Sequence, residues 1–207
     1  IVAAVREGRV TFQRVQTYAL NSIIKKVVSV LFLVVGLAMT GHAVLTPLLM
    51  VVVMITGDFL GMSLTTDWVT PSPTPNAWRI GPLTLAGVAL GACLLAFLSA
   101  VLAVGAFWLR LETGSLQTLA FVSLVFGGQA AVYAIRSRHR LWGLRPSWWL
   151  LASSVADVGI ASGLAIGGVA MTALPALVIA GLLAATVAFA FVLVVVKAPA
   201  FARLGIV

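Results

Sequence analysis

Residues 27–64, VVSVLFLVVGLAMTGHAVLTPLLMVVVMITGDFLGMSL, decide the fold. Two apolar runs, 27–39 and 48–64, flank a turn over 41–47 that holds Gly41 and Pro47, residue types that end and begin helices. An α-helix needs about 20 mostly apolar residues to cross the hydrocarbon of a bilayer. Two such runs joined by a short turn form a transmembrane hairpin. Upstream, residues 9–39 read as one helix whose polar first third (Arg9, Gln13, Arg14, Gln16) gives way to the apolar run, so it rises into the membrane as a stalk.

The pattern repeats downstream, where spans are expected over 83–109, 116–135, 148–169 and 174–196. Composition agrees: of 207 residues, 62% are hydrophobic and 9% charged, against about 25% charged in soluble domains. The mean hydropathy is +1.16. The expected fold class is therefore all-α, a polytopic transmembrane helical bundle of about six spans, with little chain left for a soluble domain. The segments read as a stalk (1–22), a transmembrane hairpin (23–64), a Pro-rich loop (65–82), a four-helix region (83–197) and a tail (198–207). In the loop, Pro71, Pro73 and Pro75 remove backbone donors and hold an extended path.

Thirteen Lys and Arg stand against five Asp and Glu, but a nucleic-acid partner would need a basic face on a solvated fold, and none is available. The positive charge reports topology instead. Arg6, Arg9, Arg14, Arg79, Arg136, Arg138, Arg140, Arg145, Lys197 and Arg203 fall on one side of a six-span arrangement, and only Arg110, beside Glu112, on the other. Cytoplasmic loops retain positive charge, so both termini are expected inside. Trp142, Trp148 and Trp149 suit the inner membrane interface and Trp108 the outer. The single cysteine, Cys93, excludes an intrachain disulfide and a CxxC site. The opening residues, IVAAVREGRV, lack the features of a signal peptide, and the chain is expected to be a piece of something longer.

An ionisable group deep in a span costs about 2.5 to 3.5 kcal/mol on insertion scales, so it usually faces protein or water. The candidates are Asp58, Asp157, Lys25 and Lys26. At about 1.5 Å of rise per residue, the hairpin brings the lysines and Asp58 to similar depth, about 20 Å below its outer end. An ion pair there would offset much of the insertion cost, and since neighbouring residues stand about 100° apart, one lysine faces inward. Lys25 is favoured because Asn21 lies one turn earlier on the same face. Asp58, Lys25, Lys26, Asn21 and Thr56 form the candidate ion pathway, with an inert staple between helices as the bland alternative. Asp157 is a secondary candidate, for which Ser153, Ser154 and Ser162 are in reach as hydrogen-bond partners. Gly57 and Gly61 permit close helix approach. His42 and His139 read as solvated, and the basic loop around His139 could attract anionic lipid. Phosphate loops, HExxH and GxSxG are all absent from the sequence, so no catalytic residue, cofactor site or metal site is expected in this chain.

At this point the sequence resembles P-type ATPases. IVAAVREGRVTFQRVQTYAL is similar to the segment by which that family leaves its phosphorylation domain and enters a stalk-extended fifth transmembrane helix. MITGDFLGMSLTTDWVTPSPTPNAWRI resembles the sixth helix and following loop of the plasma-membrane proton-pump subfamily, and PSPTPNAWR is its most specific string. IRSRHRLWGLRPSWW resembles the loop between that subfamily's eighth and ninth helices, so the likeness covers helices five to ten. The resemblance implies that Asp58 is the membrane carboxylate that takes up and releases the transported cation, a proton first and another small cation second. It also implies ATP and Mg bound in domains missing from this chain, and residence in the cytoplasmic (plasma) membrane. Two positions depart from the subfamily: Gly57 stands where it carries Asn, and Val28 where it carries an intramembrane arginine, with Lys25 and Lys26 nearby as substitute cations. A stand-alone secondary transporter or channel, which should show internal symmetry, and a non-transporting membrane scaffold are the alternative readings.

Overall fold

The computed structural model describes residues 1–71, 80–136 and 145–204, with side chains as far as residue 197. Among the described residues six helices follow one another: α1 (Val2–Thr40), α2 (Pro47–Ser63), α3 (Ile80–Ala103), α4 (Thr113–Arg136), α5 (Trp148–Gly167) and α6 (Ala176–Leu204). A 3-10 turn, Leu64–Thr66, follows α2, and a π-helical turn, Val104–Trp108, closes α3. All six helices are long and apolar enough to cross a membrane. The chain is an all-α polytopic bundle, as its composition requires.

Helix ends lie where local chemistry puts them. The hairpin turn begins at Gly41, whose φ of 71° is a left-handed conformation that glycine adopts without strain, and whose N–H closes on the Leu37 carbonyl at 2.9 Å. It ends at Thr46, whose hydroxyl accepts the Leu49 N–H at 3.3 Å, with Pro47 in the first helical turn. Ser147 caps α5 in the same way, accepting from Leu150 N–H at 3.2 Å.

Two boundaries differ from expectation. α1 starts at Val2 rather than at residue 9, because VAAVREG contains nothing that stops a helix. α6 runs to Leu204, so the backbone expected as a tail from residue 198 continues as helix. Of the residues discussed above, Pro73, Pro75, Arg79, Arg138, His139, Arg140 and Trp142 lie outside the described residues, as does the side chain of Arg203.

The bundle is built around α4, whose apolar window is 89% buried, against 22–33% for the other five helices. α4 packs against all five. Lipid tails are as apolar as a protein core, so helices associate there through close packing and buried hydrogen bonds. α4 suits this with small residues: a Cβ on Gly127 would stand 3.1 Å from Leu94 and Leu98 of α3. The α1–α3 contact uses Gly87 and Gly91, and a Cβ on Gly87 would meet Ile23 at 2.8 Å. Phe97 and Phe189 stack with ring centroids 4.2 Å apart, joining α3 to α6. Apolar side chains such as Val34, Met54, Phe59, Val155 and Val195 point outward.

Polar contacts tie each end of the bundle. At one end Gln117 Nε2 donates to the Ala43 carbonyl at 2.8 Å and Thr118 Oγ1 to the Thr172 carbonyl at 2.7 Å. At the other end the contacts centre on Asp67, and Leu60, Leu64, Val132 and Leu150 form a small apolar cluster there. Trp148 and Trp149 are exposed at the Asp67 end and Trp108 at the opposite end.

Candidate functional site

Lys25 Nζ stands 2.7 Å from Asp58 Oδ1, an ion pair between the middle of α1 and the last third of α2. The amine also reaches toward the Met54 carbonyl at 3.4 Å. Lys26, one residue on and about 100° around the helix, is exposed. Gly57 explains how the lysine gets there. A Cβ at that position would lie 2.8 Å from Lys25 Nζ and 3.0 Å from Lys25 Cε, so the missing side chain leaves the space the amine crosses. The absence of a side chain at position 57 therefore makes room for Lys25.

The two acids exchange the burial that the sequence suggests. Asp58 exposes 70% of its side chain on a face of α2 that the other five helices leave uncovered, so the bundle does not enclose it. The bundle does enclose Asp157, at 4% exposure. The reason is helical geometry: two residues along a helix turn about 200°, so Thr56 faces the core, Asp58 faces outward, and Lys25 spans Gly57 between them.

Behind this pair lies a cavity of about 50 Å³ lined on its polar side by Asn21, Lys25, Ser29, Thr56 and Asp157. Gln129 Nε2 donates to Asp157 Oδ2 at 2.6 Å. Asp157 Oδ1, Gln129 Oε1 and Thr56 Oγ1 are buried without a hydrogen-bond partner. The Thr56 hydroxyl lies beside the Asp157 carboxyl, close enough to donate to it. The serines expected around Asp157 do not serve it: Ser154 accepts instead from the Tyr133 hydroxyl at 3.0 Å. Asn21, 7% exposed, shares the cavity with Lys25.

A third cluster holds the Asp67 end together. Asp67 is 2% exposed. Its Oδ2 accepts from Arg136 Nε at 2.9 Å, and its Oδ1 from Arg136 Nη2 at 3.2 Å and from Ser147 N–H at 2.9 Å. Arg14 Nε donates to the Asp67 backbone carbonyl at 2.9 Å. One residue thus joins the stalk part of α1, the end of α2, the end of α4 and the cap of α5. In the sequence Arg14 reads as a polar stalk residue and an orientation signal and Arg136 as an orientation signal; the fold engages both here.

Gln129 and Asp67 are the residues that sequence reasoning missed. Gln129 carried a usable signal, as a lone amide in the apolar run SLVFGGQAAVY. Asp67 carried a weaker one, an acid just past a span, with its partners 69 and 80 positions away. Among the described residues no group of three or more His, Cys, Asp or Glu side chains could hold a metal ion. His42 is exposed in the hairpin turn and Cys93 is half-buried in α3.

No protein-family profile matches the chain. Over 142 residues it is 27% identical to a Methanocaldococcus jannaschii protein that carries the name "Putative cation-transporting ATPase". That similarity covers 69% of this chain but 18% of the relative, so the chain spans less than a fifth of the length of the protein it matches. Six membrane-length helices and this similarity make the chain an integral-membrane bundle akin to the membrane region of such an ATPase.

Proposed function

We propose that this chain is the C-terminal transmembrane part of a P-type ATPase and forms part of its cation pathway. In this reading Asp58 is the carboxylate that takes up and releases the cation, and Lys25 is its internal competitor. The observation that carries the reading is the 2.7 Å Lys25–Asp58 pair, about 20 Å below the outer end of the hairpin. A carboxylate left alone at that depth would be costly, and the amine neutralises it whenever no cation is bound. A cation arriving at Asp58 displaces the amine, and the returning amine favours release. Binding and release then need only a small shift of α1 against α2.

A proton fits this site best. It needs a single oxygen lone pair, whereas larger hard cations collect about six oxygen ligands. Another small cation is the second choice. Both termini lie on the cytoplasmic side by the distribution of Lys and Arg, and the host is the cytoplasmic (plasma) membrane. ATP and Mg act in the domains that precede this segment in the complete pump, and α1 is the stalk that carries their motion inward through the Asp67 cluster.

The test is transport by the full-length pump in sealed vesicles. Asp58→Asn should abolish cation transport while membrane insertion stays intact. Undiminished pumping by this variant would reject the role.

A further inference from the structure

The turn end of the hairpin holds a second cavity, of about 230 Å³, which takes no part in the Lys25–Asp58 pair. Its walls come from the end of α1, the turn over 42–44, the π-helical turn that closes α3, and the start of α4. A π-helical turn is rare and occurs most often at functional sites. Here it brings Ala106 and Phe107 to the cavity. The lining divides by chemistry. Met39, Phe107 and Leu116 are apolar, His42, Thr113 and Gln117 carry hydrogen-bonding groups, and no carboxylate, amine or guanidinium is among the lining side chains. Gln117 uses one N–H on the Ala43 carbonyl at 2.8 Å, which leaves its second N–H and its carbonyl oxygen for another partner. Apolar walls with a few convergent polar groups are the usual form of a small-molecule site.

We propose that this cavity binds one neutral, single-ring amphipathic molecule of the aromatic alcohol class, and that its occupancy slows transport. The lining sets the charge: an ion would meet no fixed opposite charge there and would keep its desolvation cost. The volume sets the size: about 150 Å³ is enough to take benzene, so 230 Å³ takes one ring with a short polar arm. The walls set the kind of ring, because the Phe107 face stacks on an aromatic and the Met39 thioether makes favourable contact with its edge. The hydroxyl group turns to the side of His42 and Gln117. The effect on transport rests on the reading of this chain as a cation pathway. α1 and the hairpin turn form one wall, α3 and α4 the other, so the shift of α1 that empties Asp58 changes the width of the cavity. A bound ring resists that change.

The experiment uses the full-length pump in sealed vesicles, with benzyl alcohol as the probe of transport and its photoreactive diazirine derivative as the probe of place. Cation transport should fall along a saturating curve as benzyl alcohol is added. The label, located by mass spectrometry of peptides, should concentrate on residues 39–44, 106–107 and 113–117. Ala106→Phe sets a ring into the cavity wall, and it should lower this labelling, and raise the half-inhibiting concentration, by about tenfold or more. His42→Trp narrows the polar side from an exposed position and should act in the same direction, which keeps the test open if Ala106→Phe fails to fold. Label spread evenly over outward-facing residues such as Val34 and Val155, or labelling that neither variant lowers, would mean that the alcohol only dissolves in the membrane and would overturn the site. Saturable labelling with undiminished transport would overturn the effect on the pump. Undiminished pumping by Asp58→Asn would instead reject the pathway reading, and the labelling pattern would still decide the site.

Discussion

Replacing Asp67 with alanine removes a carboxylate from Arg136, whose side chain is 5% exposed in its pair with Asp67, and an acceptor from the Ser147 N–H. Removing one partner of a buried ion pair costs about 3–5 kcal/mol, because the remaining charge keeps its desolvation penalty. The stranded N–H adds about 1–3 kcal/mol if water stays out. The cluster lies at one end of the bundle, where some water enters the vacated space, so about 3–5 kcal/mol is the expected total. For a chain of this length that corresponds to a drop of roughly 6–20 °C in the midpoint of thermal unfolding. The assay is tryptophan fluorescence of the detergent-solubilised protein during heating, with trypsin sensitivity at the arginine-rich end as a second readout. Asp67→Asn keeps the acceptor for Ser147 but loses the charge, and should fall between wild type and alanine. In the double variant Asp67→Ala/Arg136→Ala, part of the loss should return, with a coupling of about 1–3 kcal/mol. A change in Asp67→Ala within about 0.5 kcal/mol, the range of an ordinary surface substitution, would refute the reasoning and reduce the cluster to a solvated contact.

The other predictions concern the hairpin. Lys25→Ala removes the competitor of Asp58, so the full-length pump should half-saturate at a lower cation concentration, by up to about fivefold for a pair the bundle does not enclose, and turn over more slowly; an unchanged concentration dependence would disconnect the amine from the ion. Gly57→Val puts branched carbon where Lys25 crosses, at a site where a Cβ already lies 2.8 Å from its Nζ. Because the lysine end is flexible, this variant should fold normally yet behave in transport like Lys25→Ala. Gly36→Ala places a methyl group 2.6 and 2.7 Å from the two Val44 Cγ atoms. It should cost about 1–3 kcal/mol by overpacking, seen as a lower unfolding temperature, and no change would mean that the turn yields freely.

The membrane class and the existence of all six helices were legible in composition and run length, because backbone groups in hydrocarbon must be satisfied within a helix. The turn at Gly41 to Pro47 was legible too, as glycine and proline act locally. So was the common depth of Lys25 and Asp58, which follows from rise per residue in a tight hairpin. What the sequence by itself did not determine was which way each helix faces. In a soluble helix the apolar stripe marks the core, but a helix in lipid is apolar on both its lipid and its protein faces. Only the packing of α2, α4 and α5 decided that Thr56 and Asp157 turn inward with Gln129 while Asp58 turns outward. The Asp67–Arg136 pair is likewise a product of tertiary structure, since its members meet across 69 residues through the position of α4 at the bundle centre, and no local periodicity encodes that meeting.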